Sequence, residues 1–203
     1  MTRSLSVPRI DGKSSLKIHF DDTNPAKKNN EFAYNTLNDL KTMGINYEIT
    51  FTSDYSPQLI GITQKLIEEG KAFIDDTPRA QMQSERMAEI DFKCRNNTVA
   101  ENIKLWNEML AGSDRGLQCC LREKVDMQHP NKSLREPVYY RCNLTPHHRI
   151  GPKYKIYPTY DFACPFVDYI QANGSFYGSL RTKWLMDGMM PVFGLCKEWY
   201  AEV

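Results

Sequence analysis

No segment of this 203-residue chain stays apolar over the roughly 20 residues that a membrane-spanning helix needs. Residues 1–8 also lack the apolar stretch of a secretory signal. The formal net charge is only +1, so any contact with RNA must come from local basic patches rather than from a global excess of charge. We therefore predict a cytoplasmic protein with neither a membrane nor a DNA partner.

The cysteines are scattered, and none of them forms a C-x-x-C pair. This spacing predicts no zinc site and no disulfide framework, as expected for reduced thiols in the cytoplasm. They are Cys94, Cys119, Cys120, Cys142, Cys164 and Cys196. There is no internal repeat, and the 41% of hydrophobic residues is enough for one substantial core.

The front of the chain has a pattern of strands that alternate with helices. Alternating apolar residues predict strands at 16–20 and 47–51, and a short apolar run predicts a third at 72–74. This order favours a parallel sheet with crossover helices. Ligands bind beyond the carboxyl ends of such strands, which is where Asp21 lies. Helices are predicted from Pro25 to Gly44 and from Ser56 to Gly70.

The middle of the chain reads differently, because helices come first and strands follow. A capping box of Thr98 and Glu101 opens one helix, which Gly112 ends. Strand-like segments follow at 117–127 and 138–142. This pattern predicts an α+β module inserted into the α/β fold.

Two motifs combine residue types that suit ligand binding. The run FDDTNPAK at 20–27 is either a strand end with a helix cap or a carboxylate, Asp21, directed at a ligand ammonium group. The run YPTYDFACP at 157–165 stops a strand at Pro158 and continues as a helix. We predict Asp161 as its N-cap, with the hydroxyl of Tyr160 near the helix N-terminus. Taken alone, a tyrosine at a strand end such as Tyr160 usually occupies a core or rim position.

With VD at 167–168, these motifs resemble the catalytic domain of eukaryotic cytosolic glutamyl-tRNA synthetases, in the glutamyl and glutaminyl subgroup of class I. The resemblance implies that Asp21 holds the α-amino group of the amino acid, beside the hydroxyl of Tyr160. It also implies that Arg181, in LRT at 180–182, binds the side-chain carboxylate of glutamate and that Thr182 lies near ATP. Glutaminyl relatives lack this arginine, so a glutaminyl enzyme is the close alternative.

The run CCLREKVD at 119–126 resembles a strand in the family's module that grips the acceptor end of tRNA. The resemblance implies phosphate contacts from Arg122, Lys124, Arg135 and Arg141. The His147-His148-Arg149 run is a further candidate for such contacts. The histidine pair has no third ligand nearby in the sequence, so we predict no metal site.

The implied fold is α/β, with a partial Rossmann-like parallel sheet interrupted by an α+β acceptor-binding module. Its predicted divisions are an irregular lead-in (1–15), the first part of the nucleotide-binding fold (16–76), the inserted module (77–152), the start of the second part (153–183) and a divergent tail (184–203). The implied function is ligation of glutamate to its tRNA, with ATP and Mg²⁺. The implied partners are glutamate, the acceptor end of tRNA-Glu and other synthetases in a complex.

The sequence contains neither of the family's ATP-binding signatures, of HIGH type before residue 16 and of KMSKS type after the second part of the fold. Also, His19 stands where an arginine is usual. These signatures carry most of the groups that stabilise phosphoryl charge, so we assign no catalytic residue and expect a truncated ligase. We expect no ATP–pyrophosphate exchange from this chain alone. The alternatives are a non-catalytic module that binds the tRNA acceptor end or a partner, and a chain without a stable fold.

Overall fold

The structure is a computed structural model that describes residues 5–6, 16–25 and 30–171. Its strands are β1 (Leu5–Ser6), β2 (Leu16–Phe20), β3 (Tyr47–Phe51), β4 (Ala72–Asp75), β5 (Cys120–Glu123), β6 (Val138–Cys142) and β7 (Ile156–Pro158). Its α-helices are α1 (Asn30–Thr42), α2 (Ser56–Glu68), α3 (Arg79–Ala88), α4 (Val99–Ala111), α5 (Asp114–Leu117) and α6 (Tyr160–Gln171). Single 3₁₀ turns lie at Thr52–Tyr55, Lys93–Asn96 and Lys132–Leu134. None of the described helices is long and apolar enough to span a bilayer.

The first sheet has the order β1-β2-β3. Strands β2 and β3 are parallel and connected through α1, as the alternating sequence pattern predicts, whereas β1 is antiparallel to β2. Alternation puts Ile18 and Phe20 on the buried side of β2. The parallel arrangement brings the carboxyl ends of β2 and β3 together, so the residues that follow Phe20 and Phe51 become neighbours.

The second sheet has the order β4-β5-β6-β7, and all its pairs are antiparallel. The expectation of a third parallel strand at residues 72–74 is therefore wrong, since β4 pairs with β5, nearly fifty residues further along the chain. All four residues of β4 are buried, a pattern typical of parallel strands. A mixed α/β fold with one partly parallel sheet is confirmed, while the boundaries of an inserted module stay a prediction.

Helix ends follow local signals in the sequence. The Thr98 hydroxyl accepts a hydrogen bond from the Glu101 amide, and the Glu101 carboxylate accepts one from the Thr98 amide, which is the predicted capping box. Gly112 ends the helix with φ = 67°, a left-handed conformation that glycine adopts without strain. Helix α6 begins at Tyr160, so Asp161 lies in the first turn and its predicted role as N-cap is wrong.

The main core joins helices α2, α4 and α6 to the second sheet. The ring of Trp106 meets that of Tyr140 edge-on at 5.5 Å, and Phe162 lies 4.5 Å from Tyr139. These rings are almost fully buried, and each such side chain contributes about 1.5–3 kcal/mol by leaving water. Because Phe162 is anchored in this core, the first turn of α6 has a defined position above the sheet.

Candidate functional site

A cavity of about 840 Å³ opens where the carboxyl ends of β2 and β3 face strands β6 and β7 and the start of α6. Asp21 and Phe51 line it from the first sheet. Arg141, from β6, and Tyr160, the first residue of α6, line it from the other side. The structure therefore places Asp21 and Tyr160, which are 139 residues apart in the sequence, on the walls of one cavity.

Asp21 lies immediately after β2, and its carboxylate accepts a weak hydrogen bond from the amide of Thr23 at 3.4 Å. Burial raises the pKa of this carboxyl group, while its hydrogen bonds with Thr23 act in the opposite direction. A partly desolvated carboxylate gains from an opposite charge nearby. This position therefore suits an ammonium group of a ligand.

The position of Tyr160 is set by the residue before it. The Thr159 amide donates to the carbonyl oxygen of Tyr139 at 2.7 Å, and the Thr159 hydroxyl donates to that of Val138 at 2.8 Å. These bonds join the start of α6 to β6. The thiol of Cys164, one turn later, donates to the Tyr160 hydroxyl at 3.4 Å. These contacts fix the backbone just before Tyr160 and give its hydroxyl a hydrogen-bond partner on the same helix.

His19 stands where the resemblance implies an arginine, and its ring lies within hydrogen-bond distance of its neighbours on both sides. Its Nδ1 lies 3.0 Å from the hydroxyl of Thr50 and its Nε2 lies 2.9 Å from that of Thr52. The side-chain amide of Gln171 lies 2.9 Å from Nδ1. Burial lowers the pKa of His19 to about 4, so the ring is neutral at physiological pH. This residue supplies no positive charge to the site.

Asp22, the second carboxylate of the FDDTNPAK run, has partners far along the chain. Its carboxylate accepts hydrogen bonds from the amide and the hydroxyl of Ser53 at 2.8 and 2.7 Å. His147 Nε2 donates to the carbonyl oxygen of Asp22 at 2.7 Å. Nothing in the local sequence signals these contacts, because the partners are 31 and 125 residues away.

Asp22 also adds a third possible metal ligand beside the histidine pair. Nothing in the sequence indicated it, because Asp22 is far from the histidines along the chain. Ligand atoms of Asp22, His147 and His148 lie within 4.8 Å of one another. However, His147 Nδ1 accepts from the amide of Arg149 at 3.2 Å, while its Nε2 donates to Asp22. Both ring nitrogens are therefore used within the protein, and His147 offers a metal no lone pair. Its burial also removes it from the candidates for phosphate contact.

The structure corrects the prediction that Arg122 and Arg135 contact tRNA phosphates. Arg122 is 2% exposed, and its Nε donates to buried Asp75 at 2.7 Å. Arg135 is 4% exposed and is bound to Glu89 at 2.7 Å and to the carbonyl oxygen of His129 at 2.7 Å. A guanidinium that is enclosed and already paired cannot reach a phosphate without breaking the core. Both residues hold the second sheet and its loops together.

The other predicted positions differ in accessibility. Arg141 is exposed and lines the cavity, and none of the ion pairs among the described residues involves it. Lys124 is half-buried, and its amide donates to the carbonyl oxygen of Lys71 at 2.8 Å. Both remain predictions as tRNA contacts. Arg181 and Thr182 lie outside the described residues.

Comparison with known proteins finds relatives whose names all include ligation of glutamate to tRNA. Over 155 residues the chain is 65% identical to the cytoplasmic glutamate–tRNA ligase of Arabidopsis thaliana and 48% identical to the probable cytoplasmic glutamate–tRNA ligase of Dictyostelium discoideum. It is 45% identical over 164 residues to the bifunctional glutamate/proline–tRNA ligase of Mus musculus. These alignments cover 76%, 76% and 80% of this chain.

The same alignments cover 22%, 20% and 11% of the relatives, so the chain spans only a small part of their length. The sequence pattern of the family described as tRNA synthetases class I (E and Q), catalytic domain, matches residues 10–177. That match includes the cavity, strands β2 to β7 and the described helices. The chain belongs to the class I tRNA synthetase (E and Q) catalytic-domain family.

Proposed function

We propose that this chain is a part of a glutamate–tRNA ligase and that its cavity holds the amino acid. Relatives at 45–65% identity carry the name of that activity. In the reaction, the α-carboxylate of glutamate attacks the α-phosphorus of ATP, supplied with Mg²⁺, and gives glutamyl-adenylate and pyrophosphate. The glutamyl group then moves to the terminal ribose of tRNA-Glu.

The observation that carries the proposal is the shared lining of Asp21 and Tyr160. The carboxylate of Asp21 would pair with the α-ammonium group, and the Tyr160 hydroxyl would provide a hydrogen bond beside it. A site built to make such bonds discriminates strongly, because its buried polar groups stay unpaired when an analogue lacks them. We further propose that Arg181 binds the side-chain carboxylate and that Thr182 contacts ATP.

Calorimetric titration of the full chain with L-glutamate tests the amino-acid site. Asp21→Asn keeps the shape but removes the charge, and Tyr160→Phe removes only the hydroxyl. We expect each to weaken binding about tenfold, which corresponds to about 1.4 kcal/mol. Asp126→Asn is the matched control, because Asp126 is exposed and does not line the cavity. Equal affinity in Asp21→Asn and Asp126→Asn would reject the assignment.

The acceptor end of tRNA-Glu is the second proposed ligand, with Arg141 at the cavity wall and Lys124 as the phosphate contacts. We expect binding to weaken steeply with salt. Arg141→Met should lower the slope of log affinity against log salt by about 1, as the loss of one phosphate contact does. Arg79→Met is the control, since Arg79 is exposed at the start of α3. An unchanged slope in Arg141→Met would exclude Arg141 as a phosphate contact.

The names of the relatives also support two broader proposals. Because the Arabidopsis and Dictyostelium proteins are named cytoplasmic, we infer the same location for this chain. The bifunctional glutamate/proline relative of Mus musculus motivates a second proposal, that the chain associates with other synthetases. Co-sedimentation of the purified chain with a proline–tRNA ligase tests that association, and separate sedimentation would reject it.

A further inference from the structure

The loop between β6 and β7 contains a tight turn that reaches the first sheet. The amide of His147 donates to the carbonyl oxygen of Gly151 at 2.9 Å, and the amide of Gly151 donates back at 2.8 Å. Gly151 has φ = 61°, which closes the turn without the strain that a side chain would bring. The turn thereby holds His147 and Arg149 in fixed relative positions.

The hydrogen bonds of His147 select one protonation state. A backbone carbonyl only accepts, so Nε2, which lies 2.7 Å from the carbonyl oxygen of Asp22, carries the proton. A backbone amide only donates, so Nδ1, which lies 3.2 Å from the Arg149 amide, is the acceptor. The side chain of His147 has no solvent exposure. Neutral His147 is therefore a buried bridge from the β6–β7 loop to the residue after Asp21.

Arg149 forms a second bridge to the same region. Its guanidinium stacks on the ring of Phe51 at 3.6 Å. One of its nitrogens donates to the hydroxyl of Ser53 at 2.6 Å, and the other donates to Asp54 at 3.0 Å. The Ser53 hydroxyl in turn donates to Asp22 at 2.7 Å. Each group in this chain of bonds has a partner of the correct polarity.

We propose that His147 and Arg149 are positioning residues, which together form a clamp that sets where Asp21 stands relative to Tyr160. This inference rests on the proposed glutamate site. Asp21 directly precedes Asp22, whose carbonyl oxygen His147 holds. Tyr160 directly follows Thr159, which is bonded to β6 of the second sheet. The clamp is a direct polar connection between the two walls. It therefore determines the width of the cavity at the proposed ammonium site.

Two substitutions of His147 separate the bond to Asp22 from the bond to Arg149. The side-chain amide nitrogen of glutamine reaches about as far as Nε2, so His147→Gln keeps a donor for the carbonyl oxygen of Asp22. The shorter asparagine places its polar atoms near Nδ1, so His147→Asn keeps a partner for the Arg149 amide and loses the donor to Asp22. The clamp therefore predicts that His147→Gln keeps the position of Asp21 and that His147→Asn changes it.

The experiment combines amide exchange measured by NMR with calorimetric titration of L-glutamate, both on the full chain under conditions where each variant is folded. In His147→Asn we expect the Ser53 amide to exchange about tenfold faster and glutamate to bind about tenfold more weakly, since one hydrogen bond is lost. His147→Gln should lie within about twofold of the wild type in both measurements, since it keeps that bond. A purely structural role would lower the folded fraction without changing the affinity of the folded molecules.

Wild-type exchange and affinity in His147→Asn would overturn the clamp. So would equal losses in the asparagine and glutamine variants. Should the wild-type chain fail to bind L-glutamate, the proposed amino-acid site fails, and exchange at Ser53 alone then decides whether the clamp exists. Arg149→Met provides an independent check, because it keeps the apolar contact with Phe51 and removes both hydrogen bonds. We expect it to accelerate exchange at Ser53 as well.

Discussion

Replacing Arg122 with methionine should lower the free energy of unfolding by about 3–5 kcal/mol, the usual cost of removing one partner of a buried ion pair. Asp75, its partner, is 0% exposed, and the two are joined at 2.7 Å. The guanidinium also donates to the carbonyl oxygen of Glu136 at 3.0 Å and lies 4.3 Å from the ring centre of Phe92. Methionine retains much of the apolar contact. The loss therefore comes mainly from the carboxylate left without a counter-charge.

A double variant isolates that cause. Asp75→Asn removes the charge but keeps the oxygen that accepts from the amide and the hydroxyl of Thr77 at 3.0 and 2.6 Å. We therefore expect Asp75→Asn combined with Arg122→Met to be more stable than Arg122→Met alone, because no unpaired charge stays buried. Arg141→Met is the surface control and should change stability by less than about 0.5 kcal/mol.

Urea unfolding followed by circular dichroism measures these differences, with an unchanged denaturant slope as the sign that only stability has changed. Our reasoning would be refuted if Arg122→Met lay within about 1 kcal/mol of Arg141→Met, a gap well below the cost expected for a broken buried pair. The same variants also separate anchoring from recognition. In folded protein, Arg122→Met should leave the salt dependence of tRNA binding unchanged, whereas Arg141→Met should reduce it.

Further predictions concern a buried acid and two glycines. Burial raises the pKa of Glu123 from 4.5 to about 8, so the folded state keeps a proton that the unfolded state releases. Stability should therefore fall by up to about 1.4 kcal/mol per pH unit between these pKa values, and Glu123→Gln should flatten the profile in urea unfolding at several pH values. A steeper profile in the variant would contradict this. Gly116→Ala should lower the melting temperature, because its Cβ would overlap the carbonyl oxygen of Glu108. Gly61 lies in α2 and faces open space, so Gly61→Ala should stabilise the chain by about 0.5–1 kcal/mol. A higher melting temperature for Gly116→Ala than for Gly61→Ala would contradict this packing.

Helix ends were predictable because their causes are local. Helix α4 starts and stops at the capping box and at the glycine that the sequence indicates. The four residues from Thr98 to Glu101 are enough to satisfy two of the amides at its start. The start of α6 shows the limit of this reasoning, because Thr159 bonds to β6 and the helix begins two residues earlier than an N-cap at Asp161 predicts.

The pairing of β4 could not be predicted in the same way. Its four buried residues fit a strand in either kind of sheet. The choice was made by β5, whose register pairs Ala72 with Glu123 and Asp75 with Cys120. The burial of Arg122 follows from that pairing, because it brings the side chain beside Asp75. A basic residue in a strand looks the same in the sequence whether it meets water or a buried acid.

The sequence by itself determined the family, the ends of helices α2 and α4 and the residues worth testing as ligand contacts, since motifs and caps depend on neighbours along the chain. Tertiary structure alone decided which of those residues share a site. It placed Asp21 and Tyr160 on one cavity, buried Arg122 and Arg135, and joined Asp22 to His147. The physical reason is that charge, burial and hydrogen-bond partners depend on distance in space. For these residues that distance is set by the packing of two sheets whose strands lie far apart in the sequence.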